Sequence, residues 1–163
     1  HALTLLDEIL NEIKNNGELL WKFEDLLLCL LAGECIEYAR FYAERNGVQI
    51  EVDPPSFQQT KNLLTYCSVG QVNMLFWRAA HNLPKDSAET DFKLEDLLEL
   101  AKAYYVKYVQ QGIEVRNYER LRSAKLSKLS YLLLYDILKT PEKDHHLIGP
   151  ASYIEHGIQS IVL

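Results

Sequence analysis

The sequence is poor in several residue types that define special classes of protein. Its 163 residues include only 3 cysteines, 7 glycines, 5 prolines and 1 methionine. So little glycine and proline excludes collagen-like and low-complexity chains. Three cysteines without a Cys-x-x-Cys pair exclude a disulfide framework and a zinc ribbon. Cys29, Cys35 and Cys67 are therefore predicted to be small apolar side chains of a protein in a reducing compartment.

Long apolar runs are also lacking. The longest, Leu26–Ala32, has seven residues, whereas a helix that spans a bilayer needs about 20. Asp7 and Glu8 stand where a signal peptide would carry basic residues. These features predict a soluble, cytoplasmic protein without a membrane partner.

Basic side chains are outnumbered 17 to 23, which gives a net charge of −6. Residues 1–100 carry 8 basic and 17 acidic side chains, whereas residues 101–163 carry 9 and 6. An acidic chain is poorly attracted to nucleic acid as a whole, but one basic segment could still bind phosphate or an acidic partner. Pairing with the acidic first part of the chain is the alternative. The segment comprises Arg116, Arg120, Arg122, Lys125 and Lys128.

Apolar residues make up 48% of the chain and follow helical spacing almost everywhere. They predict an all-α fold, a compact bundle of six or seven helices in a single domain over residues 1–163, with a sub-boundary near 84–91 as an option. Residues 48–52 instead alternate between apolar and polar side chains and are predicted to form a short strand or an extended linker. The predicted helices span residues 3–13, 18–32, 34–45, 54–66, 71–82, 92–111 and 118–139. The second of these is predicted to be the most buried.

The predicted helices on either side of Gly70 are joined by a short turn, which is the layout of a helix-turn-helix. In DNA-binding versions the early residues of the second helix read base edges. The amides of Gln71 and Asn73 could pair with adenine, and Arg78 could contact phosphate. Residues 74–77 are apolar, however, so a buried helical hairpin is the alternative.

Catalytic patterns are weak. Glu34 and Glu37 share a helical face and would suit a magnesium-dependent phosphohydrolase, since Mg²⁺ prefers oxygen ligands, but a solvated acidic face is the simpler interpretation. Cys67 and His81 lack an orienting third group for nucleophilic catalysis. The histidines near His145 lack a second metal-binding motif. We therefore predict no catalytic residue, metal or cofactor.

Two stretches of the chain resemble small helical proteins of uncharacterised function from Gram-positive bacteria and their phages or mobile elements. One is Asn62–Gln71, continued by Phe76–Ala79, and the other is Tyr118–Arg122, followed by Leu126–Tyr131. The resemblance implies a bacterial or phage cytoplasmic context and brings no catalytic residues.

Three functions remain open after the sequence has been considered. The leading prediction is a non-enzymatic interaction or regulatory protein that binds a protein partner or a second copy of itself. Ten tyrosines, with Trp21 and Trp77, supply the residue types that are common at protein interfaces. The alternatives are a nucleic-acid-binding regulator and a helical metal-dependent nucleotide phosphohydrolase.

Overall fold

The computed structural model describes residues 15–83, 91–119 and 128–132, together with positions 8, 12 and 136. These residues are mostly helical with little strand. The prediction of a mainly α-helical fold is therefore confirmed. The count of six or seven helices is not confirmed. The predicted helix over 3–13 lies outside the described residues, apart from positions 8 and 12, as do residues 84–90 and the histidine-containing tail.

The first long helix, α1, spans Gly17–Arg45. Asn16 caps it, because its side-chain oxygen accepts a hydrogen bond from the backbone N–H of Glu18 at 3.1 Å. The predicted break at Gly33 is wrong, since the helix continues through it without interruption. A glycine inside a helix costs only about 1 kcal/mol relative to alanine, and burial of Ala32 and Cys35 on either side outweighs that cost.

A parallel two-stranded sheet follows α1. Gly47, with φ of +77°, ends the helix in the left-handed conformation, as the Asn-Gly pair predicts. Strand β1 (Gln49–Glu51) then pairs in parallel with β2 (Asp91–Lys93), with Ile50 opposite Phe92. Residues 48–52 therefore do contain a strand. Its partner strand, β2, lies where the sequence predicts the start of the helix over 92–111, so that predicted start is wrong.

The helix α2 spans Pro54–Leu63 and α3 spans Val69–His81. The N-cap of α2 is Asp53, because the Asp53 carboxylate accepts hydrogen bonds from the backbone and side chain of Ser56. The Ser56 hydroxyl in particular lowers the pKa of Asp53. Helix α3 begins two residues before the predicted start, since Ser68 and Gln71 form a capping box.

The helix α4 spans Leu94–Gln110. It begins later than predicted because the preceding residues belong to β2, and Gly112, with φ of +64°, follows its end as predicted. Residues 113–119 have no regular secondary structure, so the predicted helix does not begin at Tyr118. A short helix, α5, spans Lys128–Tyr131 within that predicted range.

The core is centred on α3, which packs against α1 on one side and α4 on the other, while α2 covers α1. Nine of the 13 residues of α3 are buried. The region around Leu26 in α1 is less buried than predicted, because Leu26 is exposed and Leu28 is only half-buried. Each fully buried leucine contributes about 1.5–3 kcal/mol to stability. The largest fully buried side chains include Leu31, Leu63, Leu64, Leu75, Phe76, Leu94, Leu97 and Leu98.

Two polar contacts connect α2 to its neighbours. The buried ammonium of Lys61 lies 2.6 Å from a carboxylate oxygen of Asp25 on α1. Burial by itself would lower the pKa of Lys61, but the hydrogen bond to Asp25 leaves that pKa above its ordinary value. Lys102 on α4 donates to Gln59 at 2.6 Å. The hairpin of α2 and α3 is therefore held from both sides.

Candidate interaction surface

The predicted helix-turn-helix-like hairpin corresponds to α2 and α3, joined by residues 64–68. The two amides predicted to read bases lie near the start of α3. Gln71 is half-buried, and its side chain accepts from the backbone N–H of Ser68 at 3.0 Å and donates to the carbonyl of Val115 at 3.2 Å. Asn73 is only 2% exposed, and its amide lies 3.5 Å from the carbonyl of Tyr118.

Residues 113–119, which we call segment 113–119, lie against the N-terminal end of α3. The backbone N–H of Tyr118 donates to the carbonyl of Gly70 at 2.9 Å. The Ser68 hydroxyl donates to the side-chain oxygen of Asn117, and Val115 is buried. The early residues of α3 therefore bind their own chain, and in this arrangement Gln71 and Asn73 do not form an exposed base-reading face.

Arg78 lies farther along α3 and is half-buried between α3 and α4. Its guanidinium donates to the hydroxyl of Tyr108. The guanidinium carbon lies 4.9 Å from the ring centre of Tyr104 and 5.5 Å from that of Tyr108, within the range of cation–π attraction. The ion pairs of the described residues do not include Arg78. The guanidinium lies against two tyrosine rings, and no carboxylate of a described residue forms an ion pair with it.

The predicted basic segment is only partly described. Arg116 and Lys128 are exposed, and neither takes part in an ion pair within the part of the chain that the structure describes. Arg120, Arg122 and Lys125 lie outside the described residues. For Arg116 and Lys128 the structure therefore shows no pairing with the acidic first part of the chain.

Three of the residues considered for catalysis have surroundings that do not suggest a catalytic role. Cys67 is buried, and burial raises its pKa to about 11, so the thiol is protonated at neutral pH. The ring nitrogen Nδ1 of His81 is 2.8 Å from the carbonyl oxygen of Trp77 on its own helix. Glu37 forms an ion pair with Arg40 at 3.2 Å. Across residues 15–83, 91–119 and 128–132, no three His, Cys, Asp or Glu side chains are grouped as metal ligands would be.

Aromatic side chains form a continuous series between α1 and α3. Ring centres are 4.9 Å apart for Tyr38 and Tyr42, 6.0 Å for Tyr42 and His81, and 4.4 Å for His81 and Trp77. The ring of Tyr118 continues the series at 5.4 Å from Trp77. These contacts stabilise the junction of α1, α3 and segment 113–119, since aromatic pairs contribute about 0.5–1.5 kcal/mol each beyond their buried area.

An apolar surface lies at the C-terminal end of α4. Val106, Val109 and Ile113 are 50%, 58% and 50% exposed. Next to them, the ring of Tyr105 lies 5.3 Å from that of Tyr66, which is itself 54% exposed. Ile113 lies beyond the end of the helix, whereas residues three or four apart on a helix are neighbours, so Tyr66, Tyr105, Val106 and Val109 form one surface. We call them the α4 surface. The periodicity of α4 does not reveal this surface, because Val106 and Val109 fall outside its core-facing stripe.

Comparison of the chain with protein families, curated proteins and solved structures finds no significant match. Within the described residues, none of the helices has an apolar stretch long enough to cross a lipid bilayer. The exposed side chains of α4 and the environment of Arg78 are therefore the structural features that bear on function.

Proposed function

We propose that this protein is a non-enzymatic helical interaction protein that binds a second protein through the α4 surface. The observation that carries this proposal is the exposure of Val106 and Val109, each half or more exposed on neighbouring turns of α4. Contiguous apolar groups of this kind mark binding sites more often than isolated exposed side chains do.

The opposite face of α4 supports the same conclusion. Leu94, Leu97, Leu98 and Ala101 are completely buried in the core, so the exposure of the valines is not a sign of a loosely packed helix. Two tyrosines lie beside the valines, and tyrosine is enriched at the centres of protein interfaces. The α4 surface carries no formal charge, so the partner should present an apolar face of its own.

The proposed context is the cytoplasm of a bacterium or phage-infected cell, in keeping with the resemblance of residues 62–71 and 118–122 to small proteins of such sources. Nucleic-acid binding receives less support. It would need exposed base-reading amides, whereas those of Gln71 and Asn73 are engaged with segment 113–119.

The proposal is tested with a double variant, Val106→Gln and Val109→Gln, beside the matched control Lys107→Gln. All three residues are exposed on α4, so each variant should fold. Wild-type and variant proteins are used to capture partners from extracts of the native host, and sedimentation velocity measures self-association. We expect one stoichiometric protein partner, or a wild-type dimer, that the control retains and the double variant loses.

Two results would contradict the proposal. One is a monomeric wild-type protein that captures no stoichiometric partner. The other is a partner that the double variant binds as well as the control does, because the interaction would then lie elsewhere on the molecule.

A further inference from the structure

Arg78 is the described cation whose surroundings most resemble a prepared binding site. It is half-buried, it is absent from the ion pairs of the described residues, and its one hydrogen bond goes to the neutral hydroxyl of Tyr108. Among the other half-buried or buried cations, Lys61 is paired with Asp25 and Arg40 with Glu37, whereas Lys102 donates to the neutral side chain of Gln59. Withdrawing a charge from water without a counter-ion is unfavourable, and a bound anion would offset that cost.

The two tyrosine rings hold the guanidinium in place. Its central carbon is 4.9 Å and 5.5 Å from the ring centres of Tyr104 and Tyr108, and the Tyr108 hydroxyl takes one of its five donors. A guanidinium fixed in this way loses little conformational freedom when it binds a planar anion through two parallel N–H···O bonds.

We propose that Arg78, held by Tyr104 and Tyr108, is the binding site for a carboxylate group of a protein partner. One guanidinium matches the single charge of a carboxylate, and the net charge of −6 disfavours a polyanion. The inference rests on the proposed function, because it assigns the carboxylate to the protein that binds the α4 surface. Tyr104 is followed by Tyr105, and Tyr108 by Val109, and both following residues belong to the α4 surface. Because successive residues are about 100° apart around a helix, the arginine site and the α4 surface are also about 100° apart around α4. One partner can contact both.

The site can be tested with acetate alone, which keeps this test independent of the α4 surface. Isotope-labelled wild-type protein is titrated with sodium acetate, with sodium chloride at equal ionic strength as reference, and NMR follows the backbone amides of Arg78, Tyr104 and Tyr108. We expect saturable shifts with acetate only, with a Kd on the order of 10 mM, as suits one bidentate ion pair exposed to water on one side.

Variants separate a binding role from a structural one. Arg78→Lys keeps a cation above the tyrosine rings but removes the two-donor fork, so acetate affinity should fall at least about tenfold while the amide spectrum elsewhere stays the same. Arg116→Lys makes the same substitution at an exposed arginine and should leave the titration unchanged. The double variant of Val106 and Val109 should also titrate as the wild type does, even if it has lost the partner.

Three outcomes would overturn the inference. The first is the absence of acetate-specific shifts near Arg78, which would make the arginine a structural residue. The second is equal affinity in wild type and Arg78→Lys. The third is clearly tighter binding of inorganic phosphate than of acetate at neutral pH, which would assign the site to a phosphate group instead.

Discussion

The two halves of α4 are made of similar residues but have opposite surroundings. The first half places Leu94, Leu97 and Leu98 in the core, where they are completely buried. The second half places Val106 and Val109 in water. Leucine and valine are both apolar, so the difference comes from what packs against each half and not from the composition of the helix. The first half therefore stabilises the fold, whereas the second half leaves Val106 and Val109 exposed to solvent.

The largest effect is expected in the buried half. Leu97→Ala removes a side chain that has no exposure to solvent, and such substitutions cost about 2–5 kcal/mol in the free energy of unfolding. Urea denaturation measures this change. Val106→Ala in the exposed half is the control and should change stability by less than about 0.5 kcal/mol. Similar losses at both positions would remove the distinction between the two halves.

A smaller effect is expected where segment 113–119, which follows α4, meets α3. Ser68→Ala removes the N-cap of α3 and the hydrogen bond to Asn117, and loss of an N-cap costs about 1 kcal/mol. Thermal unfolding gives the stability change, and hydrogen exchange at the amide of Tyr118 reports on the segment itself. Ser68→Asp should restore the cap. Unchanged exchange at Tyr118 in Ser68→Ala would show that the segment does not depend on this contact.

The glycine that ends α4 gives an effect with a defined sign. Gly112 has φ of +64°, so Gly112→Ala should destabilise the protein by about 1 kcal/mol because a β-carbon disfavours this conformation. Gly33→Ala is the matched control. It lies inside α1, where an added β-carbon would meet nothing within 4 Å, and it should stabilise by about 0.5–1 kcal/mol. Calorimetry of both variants tests the contrast, and equal signs would contradict it.

The smallest change in stability is expected at the α4 surface. Replacing both Val106 and Val109 with glutamine should shift the free energy of unfolding by less than about 0.5 kcal/mol per site, as exposed substitutions usually do. A loss of several kcal/mol, measured by the same urea denaturation, would mean that these valines pack against the rest of the chain. They would then not be free for a partner.

Local signals in the sequence predict the helical character of the fold and some of the helix ends. Gly47 and Gly112 terminate helices where expected, because left-handed conformations favour glycine. The capping box of Ser68 and Gln71 matches the Ser-x-x-Gln pattern and would have placed the start of α3 correctly. The prediction of a helix break at Gly33 is wrong because tertiary packing on both sides of this glycine outweighs its low helix propensity.

Contacts between distant parts of the chain could not be predicted. The pairing of Ile50 with Phe92 joins two three-residue strands about forty positions apart, and the alternation of residues 48–52 does not indicate which segment is the partner. Residues 113–119, which have no regular secondary structure, form hydrogen bonds to Gly70, Gln71 and Asn73. The amides of Gln71 and Asn73 are predicted to read bases, but in the structure they bind backbone carbonyls of segment 113–119 in the same molecule.

The parallel sheet has a consequence for biosynthesis. The chain leaves the ribosome from its N-terminus, so β1 emerges well before β2, its only strand partner among the described residues. Until residue 93 has been translated, Ile50 lacks the strand that lies beside it in the native fold. Nascent chains that stall between the two strands would therefore expose the unpaired backbone N–H and C=O groups of β1, the kind of strand edge that can pair with another chain.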